Sequence, residues 1–189
     1  MQAIEKALKT VFDFIGINYC LPQGEFLNDD FDLGNSIRNP YYGQEPTKVK
    51  FMFGTQKELN IWLLNTTEKY PLVWLVYPVT ESYNNNPESF YTYKNARLIF
   101  AINNSSDKLI QTRIQTTRFI LDQIVENFKD LMYQSSFKKY ITVDKLVDIK
   151  EKFHPNYSVN EQKTSGTVDV WDAVTFDCDL HFIPACFKN

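Results

Sequence analysis

Between Trp171 and Phe182 the chain alternates without a break: Val174, Phe176, Cys178, Leu180 and Phe182 fall on one side, Thr175, Asp177, Asp179 and His181 on the other. Strand side chains point to opposite faces in turn, so a period of two predicts a long β-strand with one dry and one wet face. A chain committed to such a strand must supply a sheet around it and a layer over its dry side. The residues before it carry patterns for both.

Ile4, Leu8, Val11, Phe12 and Ile15 recur at three- and four-residue intervals, which predicts an amphipathic helix over about residues 2–15, ended by Gly16. From Cys20 the pattern dissolves, and Pro22, Gly24, Gly34, Pro40, Gly43 and Pro46 punctuate an extended arm over about residues 20–48. An arm of that length is either a functional segment ordered by a partner or a surface loop packed on its own domain. Val49, Phe51 and Phe53 then alternate as a short strand. Thr55-Gln56-Lys57-Glu58 is a capping box, and Leu59, Trp62 and Leu63 form the inward stripe of the helix it opens. Pro71 to Pro78 is an apolar run bracketed by prolines, the pattern of a central strand covered on both faces.

A polar loop over about residues 79–90, marked by Asn84-Asn85-Asn86-Pro87, leads to a second long strand. That strand is expected to place Ala96, Leu98, Phe100 and Ile102 on one face and Tyr91, Tyr93, Arg97, Ile99 and Ala101 on the other. Leu109 to Met132 holds helical spacing, a rod of about 38 Å at about 1.5 Å per residue. Ile141, Val143, Leu146, Val147 and Ile149 suit another strand, although Val143 to Phe153 also fits a helix, and a polar excursion over about residues 154–167 precedes the final strand. The expected fold class is α+β: a single domain over residues 1–189 whose antiparallel or mixed sheet, with a long hairpin, packs one face on a long amphipathic helix and an N-terminal helix.

Composition excludes several classes of function. A net charge of −3 and a pI near 5.4 leave no global basic field for sequence-independent binding along nucleic acid. Glu5, Lys6, Lys9 and Asp13 interrupt the N-terminus where a secretory signal needs an apolar block. The strongest apolar run, Pro71 to Pro78, is strand-sized, so a soluble protein with no membrane partner is expected. Cys20, Cys178 and Cys186 stand in no metal or redox spacing and read as free thiols of a reducing compartment, Cys178 as a small hydrophobe on the dry face.

The residue pattern gives weak support to catalysis. Asp177, Asp179 and His181 share a strand face but stand about 6.5 to 7 Å apart, wide for one metal whose ligands converge at about 2 Å. They fit either a solvated or subunit-facing surface or, less naturally, a metal site. After Asp29-Asp30-Phe31-Asp32, Gly34 stands where a calcium loop needs a ligand and no glutamate closes the set at the twelfth place. Two histidines, His154 and His181, leave few candidates for a base, and no phosphate loop, dinucleotide fingerprint, zinc-protease helix or nucleophile elbow is present. No catalytic residue, metal or cofactor is expected. Tyr91, Tyr93, Lys94 and Arg97 mix aromatic and basic groups as a base-stacking platform would, or as ordinary cross-strand packing does.

The N-terminal amphipathic helix, Pro71 to Tyr77, the strand ending Leu98-Ile99-Phe100-Ala101-Ile102, the helix Leu109 to Met132 and the strand opening Val170-Trp171-Asp172-Ala173 together resemble tailed-bacteriophage tail-completion proteins. The likeness is to the tail-terminator and neck-ring (head-tail connector) group, including the small connectors of crAss-like phages, and covers most of the chain from Val49 onward. It implies a noncatalytic virion protein, assembled in the host cytoplasm, that forms a ring at the head-to-tail junction. Its implied partners are further copies of itself, portal, adjacent ring or tail proteins, and DNA passing through the lumen without sequence recognition.

Three segments are the expected interfaces, with Asp29, Asp30, Phe31, Tyr41 and Tyr42 in the arm, Tyr83, Phe90, Tyr91 and Tyr93 around the hairpin tip, and Tyr157 in the excursion. Asp177 and Asp179 are expected at a second interface or the lumen. Two competing readings are a small metal-dependent hydrolase built on Asp177, Asp179 and His181, and a monomeric adaptor module.

Overall fold

The computed structural model describes residues 3–18, 25–26, 37–38, 48–83, 91–103, 114–133, 141–143, 149–157 and 171–182. In chain order the elements are α1 (Ala3–Asn18), β1 (Glu25–Phe26), β2 (Ile37–Arg38), β3 (Lys50–Gly54), α2 (Gln56–Asn65), β4 (Leu72–Val76), β5 (Thr80–Tyr83) and β6 (Tyr91–Asn103). A π-helical turn, Ile114–Arg118, then enters α3 (Phe119–Tyr133), followed by β7 (Ile141–Val143), β8 (Lys150–Tyr157) and β9 (Trp171–Phe182).

β9 is the strand its alternation predicts, and with β6 it forms the antiparallel spine of a mixed seven-stranded sheet. Each spine strand is flanked by two shorter strands placed end to end. β4 pairs with β6 from Leu72 opposite Ala101 to Leu75 opposite Leu98, and β5 continues the same flank from Thr80 opposite Lys94 to Tyr83 opposite Tyr91. On the far side, β8 runs along β9 from Lys150 opposite Asp177 to Tyr157 opposite Trp171, and β7 takes the rest, Val143 facing Leu180. β3 closes the other edge in parallel with β4. The class is α+β.

Helices cover both faces, not one. α1 and α3 lie over the face carrying Val73, Leu75, Leu98, Phe100, Val174, Phe176 and Leu180, and Ile4, Leu8, Val11, Phe12 and Ile15 of α1 are all buried there. Phe12 is central to this layer: its ring stacks on Phe128 of α3 at 5.2 Å and on Phe51 of β3 at 5.4 Å, and meets Phe100 edge-on. Burying side chains of this size contributes about 1.5–3 kcal/mol each. α2 covers part of the opposite face through Leu59 and Leu63, which pack with Met52, Leu72, Trp74, Ile99, Ala101, Trp171 and Ala173. Pro71 to Pro78 read as covered on both faces, and Leu72 to Leu75 are indeed fully buried because each side has its own helix.

The capping box forms as its spacing predicts. The Thr55 hydroxyl accepts from the Glu58 amide while the Glu58 carboxylate accepts the Thr55 amide at 2.7 Å, holding its own pKa below the usual carboxylate range. Gly54, just before it, sits at φ +134°, where a Cβ would come within 2.6 Å of Glu58 Oε2. Its carbonyl accepts both the Tyr77 amide and the Trp74 indole, each at 3.0 Å.

Several expectations change. α1 runs through Gly16 to Asn18. Of the long helix, Leu109 to Arg113 lie outside the described residues, and a π-helical turn replaces α-helix over Ile114–Arg118. The loop at 79–90 contributes β5, and the excursion at 154–167 begins inside β8, whose last residue is Tyr157. The strand reading holds at Ile141 and Val143 in β7, Leu146 and Val147 lie outside the described residues, and the helical alternative fails at 150–153, which open β8. The arm contributes a short antiparallel pair in which Glu25 faces Arg38, and the rest of it up to residue 47 lies outside the described residues.

One correction moves a face. A bulge in β6 between Tyr93 and Ala96, with Asn95 at φ 50°, resets the alternation. Tyr93 therefore joins Leu98 and Phe100 under the helices and leaves the side carrying Arg97.

Candidate functional site

The polar side of β9 faces away from α1 and α3, and α2 reaches only one end of it. Trp171 and Ala173 lie in the α2 core, while Thr175, Asp177, Asp179 and His181 continue along the same face beyond it. Register with β6 and β8 gives each its neighbour. Asp177 stands opposite Arg97 and accepts both Nε, at 2.7 Å, and Nη2, at 2.9 Å, the bidentate geometry that matches a planar guanidinium to a carboxylate. Arg97 is held above its ordinary pKa, chiefly by this bond.

Asp179 accepts the backbone amide of Asn95 at 2.7 Å, closing the β6 bulge. His181 lies opposite Thr92, and its Nδ1 is 2.9 Å from the Thr92 hydroxyl. The three residues that a hydrolase would need in one cluster thus bond to three different partners. Among the described residues, no group of three or more His, Cys, Asp or Glu side chains is arranged to hold a metal.

β8 completes the surface. His154 Nε2 is 3.1 Å from the Thr175 hydroxyl, a distance at which a base and a nucleophile would meet. The Thr175 hydroxyl also lies 3.4 Å from the Lys152 carbonyl; when it donates there, the imidazole is left to donate to the hydroxyl oxygen, the reverse of the roles such a dyad needs. Partial burial, with Lys152 and Arg97 nearby, lowers the His154 pKa and favours the neutral ring. Tyr157 stacks on Trp171 at 6.5 Å with 2° between the planes, and the Trp171 indole donates to Tyr70 at 2.5 Å.

A second set of polar groups is buried, and sequence reasoning missed it. Glu5, fully buried on α1, accepts the hydroxyls of Tyr77 and, at 3.0 Å, Tyr93. Burial and the Glu5 charge push the Tyr93 pKa well up. Asp172, also fully buried, accepts the Thr117 hydroxyl at 2.7 Å and the Asn156 amide at 3.2 Å, Asn156 standing at φ 54° in the bulge of β8. Both acids had a legible signal: Glu5 falls on the apolar stripe of Ile4, Leu8 and Phe12, and Asp172 on the dry side of β9 in phase with Val174.

Of the expected interface residues, Asp29, Asp30, Phe31, Tyr41, Tyr42 and Phe90 lie outside the described residues. Tyr83 and Tyr91 face each other across the β5–β6 ladder. Tyr93 is 2% exposed and belongs to the core, so it is no surface residue, and the platform with Lys94 and Arg97 does not form around it. Tyr157, Asp177 and Asp179 are partly exposed on the open face, where Lys94, Arg97, Lys150 and Lys152 are exposed beside them. The acidic surface read from β9 alone becomes a mixed one once its neighbours are in place.

Cys178 is buried on the dry side, where burial raises its thiol pKa, and His181 is on the other side of the strand. No described helix is long and apolar enough to cross a membrane. Comparison with protein families, with curated proteins and with solved structures finds no match to the chain.

Proposed function

We propose that this chain is a structural, noncatalytic component of a tailed-phage particle, forming a ring at the head-to-tail junction that binds portal or tail proteins and encloses the DNA channel. The observation that supports it is the open face of β6, β9 and β8, where Asp177, Asp179, His181 and His154 each have a partner within the face, namely Arg97, the Asn95 amide, Thr92 and Thr175, with Lys94, Lys150 and Lys152 exposed beside them. The two acids of such a surface can press against a neighbouring subunit without being stranded unpaired, the main penalty of a dry polar contact.

Electron microscopy of the purified protein, alone and mixed with the portal and tail proteins encoded near its gene, tests the reading. Closed rings, free or seated on the portal, are expected. A monomer in every mixture overturns it.

A further inference from the structure

The two edges of the sheet are built differently. β8 exposes Lys150, Glu151 and Lys152, carries Pro155, and is bent by the bulge at Asn156; charge, proline and bulge are the devices by which sheets refuse a further strand. β3 has none of them along its middle. Its residues Phe51, Met52 and Phe53 are uncharged, and among the described residues no strand pairs with its outer side. α2, which packs against β3, exposes Ile61 at 51% and Leu64 at 68%, so the same corner also carries apolar surface.

Hydrogen bonds fix which backbone groups of β3 are free. The Lys50 amide donates to Pro71 O and the Gly54 carbonyl accepts from the Tyr77 amide, so Lys50, Met52 and Gly54 point their main-chain groups inward at β4. Phe51 and Phe53, in the alternate phase, point theirs outward. The segment Lys50-Phe51-Met52-Phe53-Gly54 is then self-complementary about Met52. In an antiparallel pair with a second copy, Phe51 faces Phe53 as a hydrogen-bonded pair on both sides of the axis, four bonds in all, and the two Met52 residues meet as the close non-bonded pair. Lys50 falls opposite Gly54, so like charges stay apart.

We infer that β3 is a two-fold contact joining the sheets of two copies of this chain edge to edge. A β3-to-β8 contact, which would propagate head to tail, meets the guarded edge and is disfavoured. The inference stands on the edge geometry and is independent of the head-to-tail role. Combined with a cyclic contact elsewhere, a two-fold one gives dihedral symmetry, two rings back to back.

Amide hydrogen exchange on the purified wild-type chain across a concentration series is the test. Lys50 and Met52 amides are expected to be protected at every concentration, whereas those of Phe51 and Phe53 gain protection only as light scattering reports dimer. A Met52→Cys variant should form disulfide-linked dimers on mild oxidation, unlike the parent chain with Cys20, Cys178 and Cys186. Exchange at Phe51 and Phe53 that does not change with concentration, or Met52→Cys cross-linking to a Lys152→Cys chain in preference to itself, overturns the inference.

Discussion

Asp172 and Asp177 lie five positions apart on β9, and environment separates their energetic weight. Asp177 meets Arg97 with both side chains partly in water, at 29% and 52% exposure. A pair of that kind is worth about 0–1 kcal/mol because water solvates the ions nearly as well and salt screens them. Asp172 is fully buried and bonds both the Thr117 hydroxyl and the Asn156 amide, so removing it takes two hydrogen bonds from the junction of β8 and the turn before α3. Asp172→Ala is expected to destabilise the fold by about 3 kcal/mol, and Asp177→Ala by no more than about 1 kcal/mol. Urea unfolding of the two variants beside the parent chain checks the contrast, and equal midpoint shifts would refute it. Glu5 follows the Asp172 pattern, its hydrogen bonds tying α1 to β4's exit and to β6.

Elements were legible where one local signal decided them. The capping box names its own helix start, and Thr55→Ala is expected to cost about 1 kcal/mol, read as a lowered unfolding midpoint, because the Glu58 amide loses its acceptor and the Glu58 carboxylate loses the hydroxyl that donates to it. A full loss of α2 in the far-ultraviolet circular dichroism would mean the cap does more than this. β9 and β4 were readable for a similar reason: strict alternation has one structural solution, and an apolar run between prolines has few. β5 and the end of β8 were not, since each is polar and is held by pairing with a distant spine strand, while Ile141 and Val143 did announce β7. Thr80 to Tyr83 becomes a strand because β6 runs on past the end of β4 and offers unpaired backbone there. The bulge at Asn95 was equally invisible. It depends on Asp179, eighty-four positions on, to cap its amide, and it sent Tyr93 to the other face.

The candidate surface was legible in outline only: β9 announced a polar face, but not the Arg97, Asn95, Thr92 and Lys152 groups that β6 and β8 bring to it. At the scale of the whole molecule, the spine is buried on one side by α1 and α3 and partly on the other by α2, while α3 is tied to β8 by Lys129, bonded to Glu126 and Glu151, and the π-helical turn before it by Arg118 over Phe153. Native-state hydrogen exchange is therefore expected to be slowest in the centres of β6 and β9, around Leu98 to Ala101 and Ala173 to Phe176, and faster in β7 and β8, which have a single described neighbouring strand. Faster exchange in the spine than in β8 would contradict this ordering. Gly54 belongs to this scale too. Its one carbonyl oxygen receives β4's exit and the indole of the second core, and its missing side chain makes room for the cap of α2. A mutation there would act on the strand edge, the helix start and the α2 layer at once, so position 54 can drift less freely than its small size implies.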